Sequence, residues 1–310
     1  MRILVLGAGG VGGYFGARFV QGGTDVTFLV RENRQKQLVD GLKVASPLGD
    51  FTIPVKTIVA SDHTDPFDII VVACKSYGLA GAMDAIAPHV RERTVILPFL
   101  NGLSHMNLIE ERFPTALVWG GVAHIAAMLE DDGTIRQFTD VHTLIVGNRN
   151  GQEASDELVD SFVAGAAAAG VNAIRSRSIE QDLWDKWIFL TALAGGTCTM
   201  RADIGTILQA DNGQAFLHGL FDECVAVADN AERRPTQEAL EFYRDFLSGS
   251  YPNLTASMLR DMEHGGPTEA DHIVGDMVRH ARDAGVATPC LEVAWTHLQC
   301  YETARQVGDN

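Results

Sequence analysis

The chain has 310 residues, of which 46% are hydrophobic and 21% charged, and its formal net charge is −16. This composition is ordinary for a globular protein, and the length predicts two domains. The excess of acidic residues argues against nucleic acids and anionic membranes as partners, so an anionic substrate would need a locally basic pocket.

The cysteines and the apolar segments indicate the compartment. Five cysteines are widely spaced without a C-x-x-C pair, which favours a reducing compartment and gives no zinc signature. Arg2 and the apolar residues after it resemble the start of a signal peptide, but glycines interrupt them. The charge-free apolar run 187–200 is too short to cross a bilayer. We therefore expect a cytoplasmic protein that contacts neither membrane nor nucleic acid.

The chain opens with a glycine-rich turn between a strand and a helix. The apolar strand Ile3–Leu6 leads into Gly7, Gly9 and Gly12, and a helix over 11–20 follows. In the dinucleotide fingerprint the first glycine permits the tight turn and the second lets the backbone approach a pyrophosphate. The third lets helix and strand pack closely, and the helix N-terminus offers free N–H groups to the phosphates. The spacing therefore predicts a dinucleotide-binding site.

The end of the second strand indicates which dinucleotide. NAD enzymes usually carry an acidic residue there, which binds the ribose 2′-hydroxyl. Here Arg31 directly follows the strand Asp25–Val30, and Arg34 comes one helical turn later. A planar guanidinium suits a 2′-phosphate, so we expect NADP(H) despite the neighbouring Glu32. The alternative interpretation of Arg31 is an exposed surface charge.

Strands and helices alternate through the rest of the first half. Short extended segments are expected over 41–59, with a turn at 47–50. The predicted strands are then 68–74, 94–97, 116–120, a meander of 122–128, 133–138 and 143–146, and 171–174. Helices are expected after the first of these, through Ala87, and over 153–169. This alternation predicts an α/β fold with a Rossmann-like, doubly wound and mostly parallel sheet.

Polar residues follow two of these strands. Lys75 comes directly after strand 68–74, and Asn101 follows strand 94–97. Ligands of open α/β sheets bind at the carboxyl ends of parallel strands, so both are candidate binding residues. Turn and helix-cap chemistry is the alternative, because Asn-Gly is a common turn and Ser76 could cap a helix.

From Ser178 onward the pattern is helical, with no convincing strand. We expect an all-α domain over 178–310 after a dinucleotide-binding domain over 1–177, with the substrate in a cleft between them. The predicted helices cover 179–195, 212–232, 236–248, 255–263, 267–285 and 290–304.

One lysine lies in a helix that is otherwise too apolar to be exposed. Lys186 shares a helix face with leucines at 183, 190 and 193. A lysine there must reach solvent, pair with a charge or lose its own, and desolvation lowers a lysine pKa toward the range of a general acid. The alternative is a side chain that reaches solvent while its stem packs on Trp184.

Two motifs in the C-terminal part complete the candidates. Ser257 begins a Ser-Met-Leu-Arg-Asp segment, and Glu269 ends a Pro-Thr-Glu segment for which helix initiation is a sufficient explanation. His272, Asp276 and His280 are spaced by four residues, so one helix face could hold a metal, but no fourth ligand accompanies them. We therefore interpret them as an exposed helix face and expect no metal.

The ordered set of these residues resembles the ketopantoate reductase (2-dehydropantoate 2-reductase) family over essentially the whole chain. The set comprises the fingerprint glycines, Arg31, Lys75-Ser76-Tyr77, Asn101-Gly102, Trp184-x-Lys186, Ser257-Met258-Leu259-x-Asp261 and Pro267-Thr268-Glu269. The resemblance implies a Rossmann domain followed by an all-α domain, and reduction of a 2-oxo acid to a 2-hydroxy acid by NADPH.

By position, the resemblance implies a role for each candidate. Lys186 would be the general acid that protonates the developing alkoxide, Glu269 would bind the substrate's hydroxyl, and Ser257 its carboxylate. Asn101 would hold Lys186 or the ketone in place, and Lys75 would lie near the nicotinamide and ribose. The implied cofactor-binding residues are Gly7, Gly9, Gly10, Val11, Gly12, Arg31, Lys75 and Asn101. The implied catalytic residues are Lys186, Glu269 and Asn101, and the substrate-binding residues are Ser257, Glu269 and Lys186.

One departure from the family pattern concerns the substrate. The enzymes of pantothenate biosynthesis carry asparagines where this chain has Leu190 and Ala194. The pocket is therefore less polar, and the expected partner is a small 2-oxo acid, either ketopantoate or a relative. A homodimer is a candidate assembly.

Two alternatives to this reductase stay open. A β-hydroxyacid dehydrogenase relative would carry a glycine-rich segment shortly before its catalytic lysine, and none precedes Lys186. A non-catalytic NADP-binding sensor is disfavoured by Lys186 and Glu269 but agrees with the loss of the two asparagines.

Overall fold

The computed structural model describes residues 1–62, 64–149 and 155–308. The chain divides into two compact units. Unit 1 comprises Met1–Leu100 and His105–Asp182, and unit 2 comprises Asn101–Ser104 and Leu183–Asn310. The helix that begins at Ile179 therefore spans the division, whereas the predicted domain boundary precedes this helix at residue 177.

Every strand that the structure describes belongs to unit 1. The strands are β1 Arg2–Leu6, β2 Asp25–Leu29, β3 Leu42–Ala45, β4 Phe51–Ile53, β5 Lys56–Ile58, β6 Ile69–Val72, β7 Val95–Pro98, β8 Leu117–Val118, β9 Gly120–Leu129, β10 Ile135–Gly147 and β11 Asn172–Arg175. The helices of this unit are α1 Gly10–Gln21, α2 Glu32–Gln37, α3 Leu79–Ile86, α4 His105–Arg112 and α5 Asp156–Ala168. The first residues of the predicted helix 153–169 lie outside the described part of the chain.

Six strands form a parallel sheet in the order β5-β2-β1-β6-β7-β8. Numbered among themselves, these strands have the 3-2-1-4-5-6 order of doubly wound dinucleotide-binding folds, which confirms the predicted fold class. The residues at the centre of β1 and all of β6 are buried, as expected of a sheet covered on both faces. The strand order reverses at β1 and β6, and ligands bind beyond the carboxyl ends of strands at such a point.

A second sheet departs from the prediction of one mostly parallel sheet. It has the order β11-β10-β3-β4, and β9 pairs with β10 as well. β9 and β10 are antiparallel and form a hairpin, with a register shift between Gln137 and His142. The predicted meander is therefore wrong, because 133–138 and 143–146 belong to one strand that a bulge bends without ending it.

Helices and turns without strands make up the described residues of unit 2, as the sequence predicts. Its helices are α6 Ile179–Met200, α7 Ile204–Leu208, α8 Gly213–Asn230, α9 Gln237–Asp245, α10 Ser257–Glu263, α11 Asp276–Ala284 and α12 Pro289–Gly308. Wide turns of the π type occupy 246–250 and 271–275, where the predicted helices 236–248 and 267–285 lose their regular α geometry. None of the described helices is long and apolar enough to span a membrane.

Three short helices were not predicted. α2, α4 and α7 have 6, 8 and 5 residues, too few for a helical period of apolar residues to be recognised. The long α6 is the best buried helix of unit 2, because small residues let its neighbours approach. A Cβ added at Gly196 would lie 2.5 Å from Leu217 Cδ2 of α8.

Candidate functional site

The turn between β1 and α1 has the geometry that the dinucleotide fingerprint requires. Gly7 has φ +82°, a conformation that L side chains rarely adopt. A Cβ at Gly7 or Gly9 would meet no atom within 4 Å, so this stretch of backbone borders open space. A Cβ at Gly12 would lie 3.1 Å from Gly7 O and 3.2 Å from Val5 Cγ1, which is tighter than ordinary van der Waals contact, so glycine favours the close packing of α1 on β1.

The first turn of α1 supplies donors for an anion. Gly9 is the N-cap of α1, and the N–H groups of Gly10, Val11 and Gly12 precede the first regular helical hydrogen bond, from Gly13 N to Gly9 O. This turn carries no acidic side chain. The positive end of the helix dipole and these donors fit a pyrophosphate.

Arg31 lies at the same edge of the sheet as this turn. It is exposed and forms the N-cap of α2, just after β2. β2 and β1 are in register, with Leu29 opposite Leu6, and Gly7 N donates to Leu29 O at 2.8 Å. Within the described ranges the Arg31 guanidinium makes no hydrogen bond or ion pair, so its charge is available to a ligand.

Arg34 is placed differently, although the sequence puts it one helical turn after Arg31. Its Nη2 donates to Ala8 O at 3.0 Å, and its Nη1 donates to Gly133 O at 3.1 Å. Burial lowers the pKa of this guanidinium. Arg34 is thus bound to backbone carbonyls, one of which lies inside the glycine-rich turn.

The two candidates at strand ends fall into different units. Lys75 follows β6, the neighbour of β1, and is the half-buried N-cap of a short 3₁₀ turn over 76–78 in unit 1. Asn101 follows β7 but belongs to the segment 101–104, which is grouped with unit 2.

The loop that carries Asn101 lies against His272. Gly102 has φ +81°, and a Cβ there would lie 2.7 Å from His272 O. Ser104 Oγ and His272 Nδ1 are hydrogen-bonded at 2.9 Å. His272 is three residues after Glu269 in the chain, so these contacts place the Asn101 loop beside the segment that carries Glu269. No local sequence pattern connects His272 with Asn101, so His272 is an addition to the predicted site.

Lys186 is buried in α6. Its relative exposure is 9%, and that of Glu269 is 3%. Burial lowers the pKa of Lys186 from its usual 10.5 to about 8, because the charged form is desolvated, and the negative charge of Glu269 opposes this shift. The two side chains therefore form an electrostatically coupled pair of acid and base, shielded from solvent.

Hydrogen bonds between α6 and the wide turn 271–275 bring this pair together. Trp187 Nε1 and Thr191 Oγ1 both donate to Ile273 O, at 3.0 and 3.4 Å. A π-type turn leaves carbonyl oxygens without their regular helical donors, which frees Ile273 O to accept from another helix. The hydrogen bond of Trp187, the residue after Lys186, thereby fixes this part of α6 against the turn 271–275.

The segment before Glu269 is fixed by α12. Thr268 N and Thr268 Oγ1 donate to Glu302 Oε1 at 2.7 and 2.5 Å. Tyr301 OH donates to Gly266 O at 2.7 Å. These contacts hold the backbone on which Glu269 lies, and sequence reasoning missed Glu302 because no local pattern connects it with Thr268.

Ser257 is exposed and is the first residue of α10. The residue before it, Ala256, donates its N–H to Thr197 Oγ1 of α6 at 3.3 Å.

Of the two positions that depart from the family pattern, Leu190 is partly exposed, whereas Ala194 is 2% exposed and packs in the core of unit 2. Among the described residues no group of three or more His, Cys, Asp or Glu could hold a metal ion.

The chain matches known proteins along nearly its whole length. A family model for the ketopantoate reductase PanE/ApbA matches residues 3–151, and the model of its C-terminal domain matches residues 178–302. The uncharacterized oxidoreductase YkpB of Bacillus subtilis is 35% identical over 308 residues, which cover 98% of this chain and 100% of that protein.

Two relatives of named activity match at lower identity. The 2-dehydropantoate 2-reductase of Halobacterium salinarum is 27% identical over 298 residues, 94% of this chain and 95% of that protein. The crystal structure of the 2-dehydropantoate 2-reductase from Geobacter metallireducens matches with a TM-score of 0.85 at 27% identity, and the match covers 96% of this chain and 99% of that one. The chain therefore belongs to the ketopantoate reductase family of oxidoreductases.

Proposed function

We propose that this oxidoreductase uses NADPH to reduce a 2-oxo acid to a 2-hydroxy acid, with Lys186 as the general acid. The observation that carries the proposal is the buried pair of Lys186 and Glu269, in which the lysine pKa is lowered to about 8. Membership of the ketopantoate reductase family supports the reaction class. A cytoplasmic location is part of the proposal and rests on the family and on the spacing of the five cysteines.

The proposed chemistry requires one proton to reach the substrate. Bound NADPH supplies the hydride that the carbonyl carbon accepts. Negative charge then develops on the carbonyl oxygen, and Lys186 donates the proton from Nζ to that oxygen. A lysine whose pKa is about 8 is mostly protonated at neutral pH, yet it gives up its proton more readily than an exposed lysine. Its charge lies in a desolvated position, where it stabilises the transition state more than the ground state.

The other candidates bind and orient in this proposal. Glu269 keeps Lys186 protonated by its negative charge and accepts a hydrogen bond from a hydroxyl of the product or substrate. Asn101, held in place through the contacts of its loop with His272, binds the ketone oxygen or Lys186. Ser257 donates to the carboxylate of the oxo acid, and Lys75 contacts the ribose or nicotinamide of the cofactor.

The proposed preference for NADPH rests on Arg31. It is exposed and lies beside the glycine-rich turn, and the described residues offer no acidic partner to it. A guanidinium binds a phosphate through two hydrogen bonds and loses both with NADH. We expect NADPH to bind at least about tenfold more tightly than NADH, which corresponds to about 1.4 kcal/mol.

The proposed substrate is an alkyl 2-oxo acid without the hydroxyl of ketopantoate. Leu190 lies one turn after Lys186 on the same face of α6 and is partly exposed, so it can contact the substrate's side chain. A hydroxyl pressed against leucine loses its water partners, which costs about 1–3 kcal/mol. A methylene buried there contributes about 0.8 kcal/mol instead. Because Ala194 lies in the core, Leu190 is the residue to change.

Oxidation of NADPH with a panel of oxo acids tests this proposal. The panel contains ketopantoate, 2-oxobutanoate, 2-oxopentanoate and 3-methyl-2-oxobutanoate, and kcat/KM for an alkyl acid should equal or exceed that for ketopantoate. Leu190→Asn should shift the preference toward ketopantoate, whereas the apolar control Leu190→Met should not. A preference of the unmodified enzyme for ketopantoate by more than about a hundredfold contradicts the substrate proposal. NADPH binding without turnover of any oxo acid would instead indicate a non-catalytic sensor.

A further inference from the structure

Arg34 joins two segments of unit 1 that are far apart in the sequence. Its Nη2 donates to Ala8 O at 3.0 Å, between the first two fingerprint glycines. Its Nη1 donates to Gly133 O at 3.1 Å, in the turn of the β9–β10 hairpin, and to Gln37 Oε1 at 3.1 Å in its own helix. One guanidinium thus connects the glycine-rich turn with the second sheet.

The hairpin supports the same turn at two further points that do not involve Arg34. A Cβ at Gly10 would lie 2.6 Å from Ala127 O of β9. A Cβ at Gly13 would lie 2.2 Å from Ile135 Cδ1 of β10. The first turn of α1 therefore rests directly on the hairpin. At Gly10 the neighbouring atom belongs to the backbone, so only glycine allows so close an approach there.

Gly133 has the conformation that the Arg34 contact needs. Its φ is +87°, and a Cβ there would lie 2.9 Å from Arg34 Nη1. Any side chain at position 133 would be strained and would displace the guanidinium from the carbonyl that it binds.

Arg31 and Arg34 differ in how many of their guanidinium N–H donors are available to a ligand. Arg31 is exposed and has no ion pair within the described ranges, so both of its Nη groups can face a phosphate. Both Nη groups of Arg34 already donate to carbonyl oxygens, and the guanidinium is partly buried. The remaining Arg34 donor at Nε has no partner among the described residues but is buried, so it is closed to a ligand in solvent. Turning the guanidinium toward a 2′-phosphate would break the hydrogen bonds to Ala8 O and Gly133 O.

We infer that Arg34 is a positioning residue that holds the glycine-rich turn on the β9–β10 hairpin, and that Arg31 alone recognises the 2′-phosphate. This inference rests on the proposed function, because it concerns the same dinucleotide site. A turn that is already held in its bound conformation costs less entropy to order when the ligand binds. Loss of Arg34 therefore weakens the contact with the pyrophosphate, which NADPH and NADH share.

Binding of both dinucleotides to three variants tests the assignment. Arg34→Met keeps most of the packing of the side chain but removes its donors, and Gly133→Ala displaces the guanidinium while both arginines remain. Arg31→Ala is the contrast variant. The dissociation constants of NADPH and NADH are measured by fluorescence, and the unfolding temperature is measured without cofactor to set a temperature at which every variant is folded.

The expected signatures differ between the two arginines. Arg34→Met and Gly133→Ala should raise the dissociation constants of NADPH and NADH alike, by about tenfold. The ratio of the two dissociation constants should change less than about twofold. Arg31→Ala should weaken NADPH binding alone, so the dissociation constant of NADPH divided by that of NADH should rise about tenfold.

Two results would overturn the assignment of Arg34. The first is a rise in the NADPH/NADH ratio of dissociation constants in Arg34→Met as large as that in Arg31→Ala, which would show that Arg34 binds the 2′-phosphate. The second is unchanged affinity for both dinucleotides in Arg34→Met and Gly133→Ala. If the unmodified protein binds neither dinucleotide, the proposed function itself fails. Binding to the unmodified protein is therefore measured first, which distinguishes this failure from the two results that overturn the assignment of Arg34.

Discussion

The glycine-rich turn of unit 1 and the Lys186–Glu269 pair of unit 2 are constructed in opposite ways. The turn consists of backbone with φ +82° at Gly7 and open space at the Cβ positions of Gly7 and Gly9. The pair consists of two charged side chains that are 9% and 3% exposed. The first site depends on shape that only glycine supplies, and the second depends on desolvation and opposite charge. Substitutions should therefore act on binding in the first and on proton transfer in the second.

The largest expected effect separates proton transfer from cofactor binding. We expect Lys186→Ala to lower kcat by about 10²–10⁴, the usual range for a lost general acid. The dissociation constant of NADPH should change less than about twofold, since Lys186 belongs to unit 2. The matched control is Lys43→Ala, an exposed lysine in β3, which should keep full turnover. Steady-state kinetics and fluorescence titration check both quantities, and near-normal turnover of Lys186→Ala would remove this residue from the mechanism.

A smaller effect should distinguish two glycines of the turn from each other. Gly9→Ala places a methyl group in open space, so we expect an unchanged unfolding temperature and at least about tenfold weaker NADPH binding. Gly12→Ala places a Cβ 3.1 Å from Gly7 O, and overpacking of this kind costs about 1–3 kcal/mol of stability. Calorimetry and titration of both variants test the comparison. Equal loss of stability in the two would contradict the account of the turn.

The sequence predicts the parts of the fold whose signals are local. The glycine spacing, the apolar strands and the helical second half all follow from neighbouring residues, and the parallel sheet follows from their alternation. The second sheet could not be predicted in this way. Its β3 pairs with β10, with Val44 opposite Ile135, and no local pattern joins residues so far apart.

The candidate site shows the same limit. The apolar helix around Lys186 left a buried charge and a side chain that reaches solvent as alternatives, and the structure shows the lysine buried. The family resemblance singles out Glu269, but its electrostatic interaction with Lys186 required the structure. The bond from Arg34 to Gly133 O and that from Thr268 to Glu302 join separate elements, so they required the structure.

The pH dependence of NADPH oxidation in the presence of saturating oxo acid tests the central claim most directly. Lys186 donates a proton only in its charged form, and its pKa is lowered to about 8. The rate should therefore be constant below this pH and fall about tenfold per pH unit above it. Because the charge of Glu269 raises the lysine pKa, Glu269→Gln should move the break to lower pH. A break near pH 8 that moves down in Glu269→Gln is the predicted result. A rate that stays constant from pH 6 to about 9.5, or a break that does not move, would contradict the assignment of Lys186 as the general acid.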